Sequence, residues 1–441
     1  MSIKSSQSLV IIGNGMATGR FLDDLHKFAP GQYTVTVIGD EAFGSYNRIM
    51  LSSVLAGTAT IDEIIQKPAS WYEQNNVALH CNARVMAINK HTKTVDLNDG
   101  RQLSYDHLVI ATGSRSSTIP AKNQGLDGVF SFRNIEDTQH IEQWCVGKKH
   151  ALVVGGGLLG LEAAYGLSIK GIKVTLVHRN RWLMNRQLDE ASGKMLKATL
   201  EAKNIHFELA CEVSGFNQLD EQAGNTWVKG ASLTNGVELD VDLVVIATGI
   251  TPNSELGKAA DLDVNRAITV NDYLLTSDEY ISALGECCEH RGETFGLVEP
   301  IWAQSKILAQ RLSVEHASST SEVSHYDFKG FNNVPTPTKL KVSGVQIFSA
   351  GMVQETADCT AYHLIDASFA IYRKLIFKNN KLVGIVLFGD VSSGMYYFNL
   401  MQAQQVIAVE HAQTLLFGED FYLSQQILLA NSLDIATVLE A

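Results

Sequence analysis

An α/β fold is predicted by three features of the sequence. A short apolar strand, a glycine-rich turn, a helix and a β-branched strand follow one another in that order, and the whole unit occurs twice. Each copy is followed later by an apolar strand that ends in Ala-Thr-Gly. A chain of 441 residues exceeds what one ordinary core holds, so several domains are expected. Together these features predict two Rossmann-like dinucleotide-binding domains, and the strand-rich remainder predicts a small α+β C-terminal domain.

The first copy opens with the strand Ser8 to Ile12 and the turn Gly13-Asn14-Gly15. A helical pattern with Met16, Phe21, Leu22 and Leu25 on one face leads to the strand Thr34 to Ile38, closed by Gly39-Asp40-Glu41. Its exit strand runs from Leu108 into Ala111-Thr112-Gly113. In the second copy Ala151 to Val154 is the strand, Gly155 to Gly160 the turn, Leu161 to Lys170 the helix and Lys173 to Val177 the second strand. Its exit strand runs from Leu243 into Ala247-Thr248-Gly249. The chain is then expected to rejoin the first domain through Tyr280 to Glu286 and a helix near Ile301 to Leu312. Ser318 to Ser324 reads as a polar linker, and Lys339 to Phe348, Ala370 to Phe377 and Lys381 to Phe388 read as strands. The expected boundaries are 1–114 and 249–320 for the first nucleotide domain, 115–248 for the second, and 321–441 for the C-terminal domain.

A pyrophosphate needs a backbone that it can approach and donors that neutralise it; glycines allow the approach, and a helix N-terminus supplies the N–H groups. Gly155, Gly157 and Gly160 complete a G-x-G-x-x-G pattern, whereas the first copy has Gly13 and Gly15 but Thr18 in third place. Because that third glycine lets helix and strand pack closely, Thr18 implies looser packing. Ribose hydroxyls call for an acceptor at the end of the second strand. Asp40, 22 positions beyond Thr18, fits, and Glu41 could serve instead. The matching stretch of the second copy, Val177-His178-Arg179, has no acid, and Arg181 follows.

Composition excludes several classes. A net charge of −12 argues against nucleic acid as a partner. No apolar run reaches the roughly 18 residues of a membrane span, and the short polar start predicts no signal peptide. The six cysteines are scattered with no C-x-x-C pair, so no metal site, iron–sulfur cluster or disulfide framework is expected, and the reducing cytoplasm is the expected compartment. His290, His316 and His363 do not cluster at metal spacing.

Further stretches carry a family resemblance: Tyr46-Asn47-Arg48 with Leu51-Ser52-Ser53-Val54-Leu55-Ala56-Gly57, Arg186-Gln187-Leu188-Asp189, Ala283-Leu284-Gly285-Glu286-Cys287, and Leu340-Lys341-Val342-Ser343-Gly344 with Phe348-Ser349-Ala350-Gly351. On these the chain resembles the pyridine-nucleotide-dependent flavoprotein reductases of the rubredoxin and ferredoxin reductase type. In particular it resembles the FAD-containing portion of assimilatory nitrite reductase large subunits and the electron-transfer subunit of assimilatory nitrate reductase. The resemblance implies an FAD-dependent oxidoreductase that takes a hydride from NADH or NADPH and passes electrons to a separate iron–sulfur, rubredoxin or molybdenum protein. It implies that Gly13, Gly15, Asp40 or Glu41, and the Ala111-Thr112-Gly113 exit hold FAD. Arg48 and Ser52 would lie near the flavin and its phosphates, and Gly285-Glu286 would match a pair whose acid contacts the ribityl chain. Glu162 would orient the nicotinamide; without the resemblance it reads equally as a first-turn acid facing the helix dipole. Gly155, Gly157, Gly160 and Arg179 would hold the nicotinamide nucleotide.

Ser53 departs from ferredoxin reductase relatives, which carry lysine there. No cysteine stands between Ile49 and Ser53, where disulfide reductases of this fold carry a pair, and Cys287-Cys288 reads as two packed thiols. Sirohaem and cluster cysteine patterns are absent, so the chain alone is not expected to reduce nitrite. A stand-alone NAD(P)H oxidase or diaphorase, a rubredoxin reductase, and a redox-sensing binding protein are the alternatives. The donor preference and the oligomeric state, a homodimer included, stay open.

Overall fold

A computed structural model describes residues 6–218, 226–317, 326–334, 336–342 and 344–426. In chain order, the principal elements of the two nucleotide-type units are β1 (Gln7–Ile12), α1 (Met16–Phe28), β2 (Tyr33–Ile38), β3 (Val77–His80), β4 (His107–Ile110), β5 (Val129–Ser131), β6 (His150–Val154), α2 (Leu158–Ile169), β7 (Lys173–His178), α3 (Glu190–Glu201), β8 (Ile205–Leu209), β9 (Leu243–Ile246), β10 (Ile281–Ala283) and α4 (Val298–Ala317). The C-terminal region adds β11 (Thr338–Val342), β12 (Val345–Gly351), β13 (Thr360–Asp366), β14 (Ile371–Lys378), β15 (Lys381–Phe388) and α5 (Gly394–Gln402).

The chain divides into two compact units. The first comprises Met1–Ser117, Arg133–Gln139 and Gly249–Val334. It holds a five-stranded parallel sheet in the order β10-β4-β1-β2-β3. The central strands β1 and β4 carry buried runs of Val, Ile and Leu because both faces are covered there, whereas β2 alternates with threonine. Helix α1 buries Phe21, Leu22 and Leu25 and packs along α4, joined to it by the Ser305 hydroxyl on Asp24 at 2.6 Å.

The second unit comprises Thr118–Phe132, His140–Thr248 and Pro335–Ala441. Its parallel sheet runs β8-β7-β6-β9-β5. The duplication extends beyond the strands that predict it. Each copy places a three-stranded antiparallel sheet before its exit strand, over Val85–Ser104 in the first and Val213–Asp240 in the second. Both parallel sheets reverse their order beside the first strand, between β1 and β4 and between β6 and β9. Ligands of such sheets bind in the crevice at that reversal, outside the carboxyl ends of the strands.

The C-terminal region is an antiparallel sheet, β11-β12-β15-β14-β13, with α5 packed on it. The run expected as one strand over Lys339 to Phe348 is instead two, β11 and β12, paired across a turn at Gly344. Strand β13 carries alternating half-exposed residues and falls outside the expected set. The expected Ser318 to Ser324 linker lies outside the described residues.

Candidate functional site

Both glycine turns are built the same way. The Gly13 amide donates to the Ile38 carbonyl at 2.7 Å and the Ala111 amide to the Ile12 carbonyl at 2.7 Å. In the second copy Gly155 donates to Val177 at 2.9 Å and Ala247 to Val154 at 2.8 Å. Gly13 and Gly155 have φ of +106° and +122°, and a Cβ on either would stand 2.2 or 2.3 Å from the carbonyl oxygen of Ala111 or Ala247. Only glycine fits there. Gly15 and Gly157 are the N-caps of α1 and α2; neither helix has an acid in its first turn or a side-chain cap. Nothing lies within 4 Å of a Cβ at Gly157, and at Gly15 the nearest atom is Arg48 Nε at 3.9 Å. Among the described residues, both helix N-termini therefore lack a side-chain cap and leave room beside their N-cap glycines, the arrangement that receives a pyrophosphate.

The copies differ in third place. A Cβ at Gly160 would stand 2.0 Å from the Gly155 carbonyl oxygen. At the matching position the first unit accommodates the whole Thr18 side chain, buried, with its hydroxyl donating to the Gly13 carbonyl at 2.7 Å. The wider spacing anticipated from Thr18 thus contains a specific hydrogen bond.

In the first unit, charged groups line the carboxyl edge of the sheet. Asp40 is exposed and unpaired among the described residues. Glu41, its competitor for the ribose, is already engaged: it accepts from Tyr46 Oη at 2.7 Å and pairs with Arg48. Arg48 also lies over the Tyr46 ring at 4.8 Å and donates to the Arg133 carbonyl at 3.2 Å. Burial raises the Tyr46 phenol far above its ordinary value, so it stays a donor. Arg133 pairs with Glu286 and donates to Ser114 Oγ at 2.9 Å, and Ser114 in turn donates to Glu286 at 2.7 Å. The structure therefore joins Arg48 to Glu286 through Arg133, which sequence reasoning missed.

Thr112 and Asn253 exchange hydrogen bonds, each side chain with the other's carbonyl, both at 2.9 Å. The Gly285 amide donates to buried Gln304 at 2.8 Å. Ser52 is not drawn into this network; its hydroxyl donates to the Ile49 carbonyl at 3.3 Å. Cys287 and Cys288 are fully buried, and burial pushes both thiols up, which makes them poor nucleophiles.

In the second unit His178 ends β7 with its Nδ1 accepting the Gly156 amide at 3.1 Å. A backbone N–H can only donate, so Nδ1 is unprotonated; burial, its largest influence, lowers the pKa of the ring below the ordinary 6.5. Arg179 and Arg181 are exposed. Glu162 is half-buried in the second turn of α2, so the alternative of a first-turn acid facing the helix dipole does not apply.

Residues 7–306 match the model of the pyridine nucleotide-disulphide oxidoreductases. The chain belongs to that family. Residues 337–405 of this oxidoreductase match the rubredoxin NAD+ reductase C-terminal domain. It is 38% identical over 402 residues to the nitrite reductase [NAD(P)H] of Bacillus subtilis strain 168, covering 91% of this chain and 48% of that protein. It is 34% identical over 407 residues to the assimilatory nitrate reductase electron transfer subunit of the same organism, covering 92% and 51%. It thus spans about half the length of these relatives. A solved ferredoxin reductase from Rhodopseudomonas palustris matches 93% of this oxidoreductase and 98% of its own chain with a TM-score of 0.81 at 24% identity, which speaks for the fold. Among the described residues, no helix of this oxidoreductase is long and apolar enough to cross a membrane, and no three metal-ligating side chains converge.

Proposed function

We propose that the chain is a cytoplasmic FAD-dependent NAD(P)H oxidoreductase that passes electrons to a separate redox protein in nitrate or nitrite assimilation. The observation that carries this reading is the pair of open glycine turns, each at the order reversal of its own parallel sheet. Two such turns suit two dinucleotides, and the named nitrite and nitrate relatives favour the assimilatory setting. The first nucleotide domain is taken as 1–114 with 249–320, the second as 115–248, and the C-terminal domain as 321–441.

FAD, when bound, supplies the redox chemistry by taking a hydride from the nicotinamide donor and releasing electrons to the acceptor. Gly13 and Gly15 admit its pyrophosphate to the α1 amides, and Asp40, the acid left free by the Glu41–Arg48 pair, accepts from the ribose hydroxyls. Arg48 and Arg133 offset phosphate charge, and Glu286 is directed to the ribityl chain by Arg133 and Ser114. Gly155 and Gly157 serve the nicotinamide nucleotide in the same way, Glu162 accepts from its carboxamide, and Arg179 meets the 2′ position. The acceptor is an iron–sulfur, rubredoxin or molybdenum protein.

The test is the purified protein's absorbance spectrum and cofactor content, followed by anaerobic addition of NADH or NADPH. One FAD per chain, bleached by either donor and reoxidised by rubredoxin or ferredoxin faster than by oxygen, is expected. A colourless protein that stays colourless on incubation with FAD sinks the proposal. Oxygen as the fastest acceptor favours a stand-alone oxidase, and slow reoxidation by everything favours a sensor.

A further inference from the structure

The C-terminal sheet reaches the second glycine turn through one carboxylate. Tyr372 and Lys374 are alternate residues of β14 and so share a face of the sheet. Both are buried, unusual for a lysine unless it is paired. Lys374 donates to Asp189 at 3.0 Å and to Glu355 at 2.6 Å, and Tyr372 donates to the same Asp189 oxygen. The other oxygen of Asp189 accepts the Ser192 amide at 3.1 Å as the N-cap of α3. One carboxylate therefore ties a helix start to the C-terminal sheet.

The turn that precedes Asp189 runs back to the nucleotide site. Leu188 and Gln187 both donate to the Met184 carbonyl at 2.8 Å, and Trp182 Nε1 donates to the Leu188 carbonyl at 3.0 Å. Met184 is buried with φ +51°, a left-handed conformation that methionine rarely adopts, so the turn is held by its surroundings. Its amide donates to the Gly156 carbonyl at 2.9 Å. Gly156 is thereby gripped on both sides, its carbonyl by Met184 and its amide by His178. Gly157, the N-cap of α2, is the next residue.

We propose that Tyr372 and Lys374 are positioning residues for the nicotinamide nucleotide, acting through Asp189 and the Trp182–Asp189 turn on Gly156. The inference rests on the proposed binding of that nucleotide to the second unit. It gives the C-terminal sheet a role in donor affinity. A buried ion pair is weak evidence of stabilisation, since apolar side chains often serve as well, so a positional role accounts better for a buried lysine here.

The test uses the full-length, FAD-loaded protein with Tyr372→Phe, which removes one hydroxyl, and Lys374→Met, which removes the charge. Amide hydrogen exchange is followed over residues 182–189 and over β6, and KM and kcat are measured with NADH, NADPH and a dye acceptor. The expected result is exchange in 182–189 faster by about two- to thirtyfold, the range of measured couplings between sites, with β6 unchanged. KM for the donors rises by a similar factor, while kcat and FAD content hold. Unchanged exchange in both variants overturns the proposal, as does faster exchange with unchanged KM. Because Tyr372→Phe loses one hydroxyl and no volume of note, it serves if Lys374→Met fails to fold. A wild-type protein that binds neither donor overturns the proposed function, and the exchange data, which need no nucleotide, tell that failure from a failure of the coupling.

Discussion

The Thr18 hydroxyl donates to the Gly13 carbonyl at 2.7 Å, while at the same place in the second unit a Cβ on Gly160 would stand 2.0 Å from the Gly155 carbonyl. The two turns share a plan but differ in how close the helix comes. Thr18→Val keeps the volume and strands a half-buried carbonyl, so a loss of about 1 kcal/mol is expected. Gly160→Ala forces backbone apart and should cost about 1–3 kcal/mol and weaken donor binding as well. Urea unfolding with donor titration checks both; a Gly160→Ala protein with unchanged stability and affinity would count against the close packing.

Gly15 and Gly13 should separate folding from FAD binding. A Cβ at Gly15 has space, so Gly15→Val should leave a folded chain that cannot let a pyrophosphate near α1 and that purifies without FAD. Gly13→Ala meets a backbone carbonyl at 2.2 Å and should lose stability too. Flavin content against circular dichroism decides. Full occupancy in Gly15→Val would remove this turn from the cofactor site.

Cys287 and Cys288 are expected to stay outside the electron path. Both are buried with raised thiols; they donate to backbone carbonyls and Gln304, and Cys287 also meets Thr112 and Gly113. Replacing both with Ala should cost about 1–2 kcal/mol in lost packing and leave NAD(P)H-driven dye reduction within a few fold. Loss of that activity in a folded, FAD-replete variant would reveal a thiol relay.

Arg179 should bias the donor. It is exposed, and among the described residues it has no carboxylate partner to compete with a 2′-phosphate. NADPH is expected to be accepted alongside NADH, and Arg179→Glu should raise the Michaelis constant for NADPH much more than for NADH. An unchanged ratio of specificity constants would make Arg179 a solvated bystander.

His178 gives the second turn an acid limit. The ring must be neutral at Nδ1 to accept the Gly156 amide, and its folded pKa lies below the ordinary 6.5. A base with a depressed folded pKa stabilises fully above its unfolded value and loses that contribution as pH falls through the lowered folded value. Unfolding free energy should therefore hold above about pH 6.5 and decline below it, and donor affinity should fall at lower pH, as the ring protonates through its lowered folded value. In His178→Asn this part of the decline should disappear; its persistence would assign the acid limit to another group.

Much of this molecule is legible in its sequence because the signals are local. A phosphate-approaching turn needs glycine at Gly13, Gly15, Gly155 and Gly157, and the flanking strands and helices announce themselves by period within a few residues. That determined two nucleotide units, their exit strands and the family. The tertiary structure decided what depends on partners far apart in the chain. Arg133 meets Glu286 across 153 positions, and Asp189 meets Lys374 across 185. No short-range pattern marks either pair. Which of Asp40 and Glu41 is left open was likewise a matter of space: both stand just beyond β2, and only the fold brings Tyr46 and Arg48 onto Glu41. A side chain's type is written in the sequence, but its free lone pairs depend on which distant donors the fold delivers to it.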